Sequence, residues 1–120
     1  MNIQELISLL YTIDPDEILY CFPETDDDAQ ALADEFPSIR IIQELGRWLP
    51  GGTRTPVTTA LSIKFDVVCI PSELLNEMLP FGITCLKRGG YLLSDGSIET
   101  RGSKLKTGIK QNGIFQYKNK

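Results

Sequence analysis

The segment from Phe65 to Asp95 constrains the fold of this chain more than any other. It contains an apolar strand at 65–70, an amphipathic helix at 72–86 and a second apolar strand at 91–94. Two apolar strands joined through a helix are typical of a βαβ unit, whose strands run parallel and are buried on both faces. Because ligands bind beyond the carboxyl ends of such strands, the unit also predicts the edge of the sheet that holds a site.

A second unit of the same kind precedes it. Residues 18–22 are a continuous apolar run of β-forming residues, and residues 39–43 are another. Between them, the spacing predicts a helix that begins at Thr25 or Asp26 and ends at Phe36, with acidic residues in its first turn. Two consecutive βαβ units predict an α/β three-layer sandwich with a mostly parallel sheet.

The remaining segments complete this α/β pattern. Residues 3–11 have the apolar spacing of an amphipathic helix. Residues 45–64 are punctuated by proline and glycine and leave room for one short strand or helix around Val57–Ile63. Residues 97–120 predict antiparallel C-terminal strands, as a hairpin or a partly flexible basic tail. With 120 residues and an apolar fraction of 42%, residues 1–120 are expected to form one domain.

The content of cysteine and histidine excludes several classes of chemistry. The three cysteines, Cys21, Cys69 and Cys85, each lie in an apolar run and are expected to be reduced thiols of the core. The chain has no histidine, which removes imidazole-based triads and most zinc sites, so no metal is expected. No apolar run is long enough to span a membrane and no signal peptide is evident, which predicts a cytoplasmic protein. The pattern identifies no catalytic residue.

Charge is distributed unevenly along the chain. Residues 1–50 contain eleven acidic and two basic residues, whereas residues 51–120 contain five acidic and ten basic ones. The last twenty residues carry six basic residues and no acidic one. Such asymmetry is typical of a solvated surface, and it also fits a surface for a protein partner, a homo-oligomer or, through the basic tail, a nucleic acid.

The sequence FDVVCI, followed by a helix and by LKRGGYLLSDG, resembles the late part of class I S-adenosylmethionine-dependent methyltransferases. Residues 87–90 (KRGG) are predicted to form the turn between this helix and the strand that follows. Gly89 and Gly90 permit positive φ angles in this turn, and Lys87 and Arg88 favour the negative end of the helix. The resemblance implies a small Rossmann-like fold, compressed within residues 45–64, with S-adenosylmethionine as cofactor and a terminal antiparallel hairpin.

The same resemblance implies a set of cofactor-binding residues at the carboxyl ends of the strands. Glu44, at the end of the second predicted strand, corresponds to the family's ribose-binding acid. Apart from the resemblance, Arg47 and Trp48 in the loop that follows could form a lid over a ligand, although the area that a tryptophan buries also fits a loop anchor. The full set of predicted cofactor-binding residues is Glu24, Glu44, Pro71, Ser72 and Glu73.

The chain departs from the family in the loop after its first strand. The family has a glycine-rich loop there, whereas residues 22–28 contain a proline and four acidic residues and no glycine. Carboxylates of Asp26–Asp28 could bind a hard cation, but consecutive helical positions diverge, which favours a role in complementing the helix dipole. Two functions therefore stay open: a domain that binds S-adenosylmethionine, and a non-catalytic interaction module that keeps the fold without a cofactor pocket.

Overall fold

The structure, a computed structural model, describes residues 1–42, 53–54, 62–98, 105–111 and 113–119. Its elements in chain order are α1 (Ile3–Ile13), β1 (Ile18–Cys21), α2 (Asp26–Glu35), β2 (Arg40–Ile42), β3 (Thr53–Arg54), β4 (Phe65–Cys69), a 3₁₀ helix (Ser72–Leu74), α3 (Leu75–Cys85), β5 (Leu86–Ser94), β6 (Leu105–Gln111) and β7 (Ile114–Asn119).

One seven-stranded sheet has the strand order β3-β2-β1-β4-β5-β7-β6. The five strands β3, β2, β1, β4 and β5 are parallel neighbours. β7 is antiparallel to both β5 and β6. This arrangement confirms the predicted α/β fold with a mostly parallel sheet and antiparallel C-terminal strands.

Helices cover both faces of the sheet and form two apolar cores. Side chains of α1 and α2 pack with Tyr20 and Val67 on one face. Side chains of α3 pack with Leu19 and Val68 on the other face. Successive residues of β1 and β4 point to opposite faces, and both faces are buried, so these strands are apolar at consecutive positions.

The amino ends of α1 and α2 are capped by side chains. Asn2 Oδ1 accepts the Glu5 backbone N–H at 3.1 Å. Thr25 Oγ1 accepts the Asp28 backbone N–H at 3.1 Å, so α2 begins at Asp26 and its acidic residues fill the first turn, as predicted. None of the described helices is both long enough and apolar enough to cross a membrane.

The helix predicted at 72–86 is interrupted near its beginning. A 3₁₀ turn precedes α3, and α3 then continues through Pro80. Pro71 occupies the capping position of the 3₁₀ helix and makes no side-chain hydrogen bond there. Thr84 Oγ1 donates to the Pro80 carbonyl at 2.8 Å and supplies a bond near the interruption that proline causes in the helix ladder.

The Lys87–Gly90 segment, predicted as a turn between helix and strand, lies inside β5. Phe65 pairs with Leu86 and Val67 pairs with Tyr91, so β5 bulges between the two pairs. Gly89 has the predicted positive φ, at 83°. β5 therefore begins directly after α3, and the residues predicted as a turn form the bulge instead.

The C-terminal segment forms the predicted hairpin. β6 and β7 pair closely, and Gly113 supplies a φ of 80° at the turn. The Tyr117 hydroxyl accepts the Ile98 backbone N–H at 3.1 Å and joins β7 to the segment after β5. Of the element predicted around Val57–Ile63, residues 57–61 lie outside the described residues, and β3 was not predicted.

The three cysteines are reduced, buried thiols, as predicted. Burial raises the pKa of the Cys21 and Cys69 thiols far above their usual range. They are therefore neutral apolar side chains of the core rather than nucleophiles.

Candidate functional site at the carboxyl ends of the parallel strands

The carboxyl ends of β1, β4 and β5 meet at one edge of the sheet. The chain leaves β1 through Pro23 and Glu24, β4 through Pro71 and Ser72, and β5 through Asp95. The predicted residues Glu24, Pro71 and Ser72 thus lie on loops of a common edge. Open α/β sheets bind ligands at such an edge.

Two carboxylates from different loops contact one ammonium group at this edge. The Met1 nitrogen lies 3.4 Å from Glu24 Oε1 and 3.3 Å from Asp95 Oδ2. Burial lowers the pKa of the Met1 ammonium, but the ion pairs with Asp95 and Glu24 outweigh it, so this pKa is raised above its usual value. The edge therefore stabilises positive charge.

Asp95 also fixes the loop that follows β4. Its Oδ1 accepts the Ser72 backbone N–H at 2.8 Å. Burial raises the pKa of the Asp95 carboxyl, but the Ser72 N–H and the Met1 ammonium outweigh it, so this pKa lies below its usual value. Gly96 lies against Ser72 so closely that a Cβ atom would be 2.8 Å from the Ser72 Cβ. These contacts hold the two loops together.

Asp95 was not among the predicted site residues, although it is the residue that connects them. Its sequence signal is an acidic residue directly after an apolar strand, at the edge where parallel strands end. Of the predicted residues 71–73, Pro71 is buried, and Ser72 and Glu73 are exposed. The contact of Ser72 with the site is made by its backbone rather than by its side chain.

The loop after β1 has the backbone geometry of a glycine loop without glycine. Phe22 has a φ of 53°, a left-handed conformation that glycine adopts at little cost and a bulky residue rarely adopts. Its N–H donates to the Ile42 carbonyl at 2.7 Å, which holds this conformation. The resemblance to a family with a glycine-rich loop drew attention to this segment, but only the structure shows the left-handed backbone at Phe22.

Three predicted residues cannot be placed at the site. Glu44, Arg47 and Trp48 lie outside the described residues. Their roles in ribose binding and as a lid stay predictions. Among the residues that are described, no group of three or more His, Cys, Asp or Glu side chains could hold a metal ion.

A cleft of about 240 Å³ lies at the opposite edge of the sheet, beside the bulge of β5. Its central carboxylate, Asp66, accepts the backbone N–H groups of Asp16 and Glu17 at 3.1 and 2.9 Å. Asp66 also pairs with Lys87 Nζ at 3.3 Å. Burial raises the pKa of Asp66, but these partners outweigh it and lower the pKa overall. Asp66 therefore joins the loop before β1 to β5, a structural role.

The two perturbed carboxylates predict how stability depends on pH. Asp66 and Asp95 have folded-state pKa values below their ordinary value of 3.8. Their stabilising contribution is therefore present above about pH 4 and is lost as pH falls through the folded-state pKa values. The Met1 ammonium has a pKa above 8.0, so its contribution is present at neutral pH and is lost as pH rises above this value.

We therefore expect thermal stability to fall at both ends of the pH range. Asp95→Asn should reduce the acidic and the alkaline loss together, because Asp95 takes part in both. Thermal unfolding between about pH 2 and pH 10 measures this. Glu77→Gln, at an exposed position of α3, is the control and should leave the loss of stability at acidic and at alkaline pH unchanged. An Asp95→Asn profile parallel to that of the wild type would contradict the expectation.

Comparisons with known proteins identify the fold. No protein-family model matches the sequence, and no curated protein matches it. The N-methyltransferase NodS from Bradyrhizobium japonicum WM9 is similar in structure, with a TM-score of 0.60 and 13% identity over 97% of this chain and 95% of that chain. NodS in complex with S-adenosyl-L-homocysteine gives a TM-score of 0.62, with 13% identity over 97% of this chain and 86% of that chain.

A structure from Staphylococcus aureus, assigned as a caffeoyl-CoA O-methyltransferase, is also similar. Its TM-score is 0.59, with 9% identity over 98% of this chain and 82% of that chain. At these identities the similarity concerns the fold. The chain therefore has the methyltransferase-like, Rossmann-like α/β fold that its βαβ units and its LKRGG segment predicted.

Proposed function

We propose that this chain is a methyltransferase-like domain that binds S-adenosylmethionine, or a related nucleoside, at the carboxyl ends of β1, β4 and β5. The observation that carries the proposal is the contact of Glu24 and Asp95 with a single ammonium group. The fold supports it, since NodS has a similar structure and has been solved in complex with S-adenosyl-L-homocysteine. S-adenosylmethionine carries both an ammonium and a sulfonium, which suits a pair of carboxylates.

The residues present fit the charged part of such a ligand. Glu24 and Asp95 would bind its cationic group in place of the Met1 ammonium. The Ser72 backbone N–H would keep the Asp95 carboxylate oriented, because it occupies the second oxygen of that group. Glu44 would accept the ribose hydroxyls, as the family resemblance implies. When bound, S-adenosylmethionine supplies an activated methyl group; the chain's own residues bind and orient it.

The loop after β1 favours a second candidate, the non-catalytic interaction module. Phe22 and the buried Pro23 stand where a glycine loop would let the backbone approach the ligand closely. The Met1 ammonium also holds the position that a ligand cation would take. A domain of this kind would keep the fold and bind no nucleoside.

Calorimetric titration distinguishes the two candidates. We expect S-adenosylmethionine and S-adenosylhomocysteine to bind more tightly than 5′-methylthioadenosine, which lacks the ammonium group. Glu24→Gln and Asp95→Asn should each raise the dissociation constant about tenfold, the size of one charge-assisted contact of about 1.4 kcal/mol. Glu77→Gln, a surface carboxylate of α3, should not change it. Glu44→Ala should weaken binding by a similar factor if it holds the ribose.

The possible results of this titration distinguish nucleoside binding, recognition of the ammonium and the ribose role of Glu44. No heat and no thermal shift with ligand at about 1 mM, a weak-binding limit of about −4 kcal/mol, would refute nucleoside binding and leave the interaction module. Equal affinity for the three ligands would refute recognition of the ammonium by the two carboxylates. Unchanged affinity in Glu44→Ala would refute the ribose role alone.

A further inference from the structure

Opposite charges occupy two elements that lie far apart in the sheet order. α2 contains five acidic residues and no basic one. The segment from Leu105 to Asn119, which forms the β6–β7 hairpin, contains three lysines and no acidic residue. We call Asp27, Asp34 and Glu35 the acidic surface, and Lys106 and Lys118, which lie on one face of the hairpin, the basic surface. All five side chains are exposed.

The basic surface is arranged so that it gains from an anionic partner. Lys106 and Lys118 are directly opposite each other in the pairing of β6 with β7. Like charges in that position repel and destabilise a sheet. Lys110 is not part of this surface, because it pairs with Phe115 and lies over its ring, on the face of the sheet that packs against α3. Carboxylates placed against this surface would relieve the repulsion.

The acidic surface of the same molecule cannot serve this purpose. α2 connects β1 to β2, and the sheet order places β4 and β5 between β1 and β7. Three strand spacings of about 4.8 Å separate β1 from β7, which is about 14 Å. This exceeds the screening length of about 8 Å at physiological ionic strength.

The described hydrogen bonds to the acidic surface come from uncharged donors. Asp34 accepts a hydrogen bond at 2.6 Å from the amide of Gln30, an uncharged donor. Glu35 accepts one from the hydroxyl of Tyr11, which is likewise uncharged. Asp27 and Asp34 are seven residues apart, so they lie on the same side of α2.

We propose that the basic surface of one copy of this chain binds the acidic surface of another. A net charge of −4 and a pI near 4.8 disfavour a nucleic acid as the partner, because a polyanion would be repelled by the rest of the molecule. A second copy of the chain carries the complementary carboxylates on its own α2. Because the two surfaces differ, the contact is heterologous and leaves one surface of each type free at the ends of an open assembly.

Exchange of the charges tests this arrangement. Lys106→Glu with Lys118→Glu makes the hairpin acidic. The two positions still carry like charges opposite each other, as in the wild type, so the fold of the hairpin should be unaffected. Asp27→Lys with Asp34→Lys reverses the sign of the acidic surface, which then carries two lysines and Glu35. Each double variant should be monomeric, because its two surfaces then carry the same sign. An equal mixture of the two double variants should associate again, because the acidic hairpin of one then meets the positively charged helix surface of the other.

Sedimentation or light scattering at about 10 mM and about 1 M NaCl provides the measurement, since the screening length falls from about 30 Å to about 3 Å between them. For the wild type we expect a mass above 13.4 kDa that grows with concentration at low salt, and an association constant at least about tenfold lower at high salt. Glu77→Lys, a surface charge change on α3, should behave like the wild type.

Three results would overturn the proposal: a wild type of 13.4 kDa at low salt, association that survives in both double variants, and a mixture that stays monomeric. A monomeric wild type that binds single-stranded DNA, with binding lost in Lys106→Glu with Lys118→Glu, would assign the basic surface to a nucleic acid instead. None of these readouts depends on nucleoside binding, so the two proposals fail separately.

Discussion

Replacing Gly108 by alanine is expected to lower the free energy of unfolding by about 3 kcal/mol, at the upper end of the usual cost of overpacking. Gly108 lies in β6, where the pairing with β7 shifts between Thr107 and Lys110. A Cβ atom at this position would overlap the backbone carbonyl of Gln116. Backbone cannot move aside as a flexible side chain can, so the hairpin must separate locally.

Gly89→Ala is the matched control for this substitution. Gly89 also needs a glycine, because its φ is 83°, but a Cβ atom there would meet no other atom within 4 Å. The expected cost is about 1 kcal/mol, from backbone conformation alone. Urea unfolding followed by circular dichroism compares the two variants. Equal costs would show that β6 does not approach β7 as closely as the structure has it.

Replacing Phe65 by alanine is expected to cost about 3–5 kcal/mol, the range for a fully buried aromatic side chain. Phe65 opens β4, is 0% exposed and pairs with Leu86 at the start of β5. Its ring belongs to the apolar core on the α3 side of the sheet. Its removal leaves a cavity in this core, next to the bulge of β5.

Two comparisons make the Phe65 prediction specific. Phe65→Leu should cost less than about 1.5 kcal/mol, because it keeps most of the apolar volume. Phe115→Ala should cost less than Phe65→Ala, since Phe115 is only half-buried against the same core. Chemical denaturation provides all three values. A Phe65→Ala cost similar to that of Phe115→Ala would contradict the central position of β4.

Local patterns explain how much of the fold the sequence predicts. The start of α2 follows from Thr25 as a cap with acids in the first turn, and both features act within four residues. The strands at 18–22 and 65–70 follow from their continuous apolar runs, because a strand needs apolar residues at consecutive positions only when both of its faces are buried. The bulge at Lys87–Gly90 does not follow, because it depends on how β5 pairs with β4.

The candidate site shows the same division between local and distant contacts. Glu24 and Ser72 were predicted at the strand ends from their position after apolar strands. Asp95 was not, because its role depends on contacts with Met1 and Ser72, which are distant in the sequence. No local pattern distinguishes such a carboxylate from an ordinary acidic residue at the end of a strand.

By itself, the sequence determined the type of most elements and the parallel βαβ units, and its resemblance to a methyltransferase family predicted the class of fold. Hydrophobic periodicity, helix caps and glycine positions act over a few residues, so they can be read without a tertiary structure. Only the tertiary structure decided the strand order, the bulge in β5, the left-handed Phe22 and the meeting of Glu24 with Asp95. These features arise from packing and pairing between segments far apart in the chain, where a residue's neighbours are set by the fold and not by its position in the sequence.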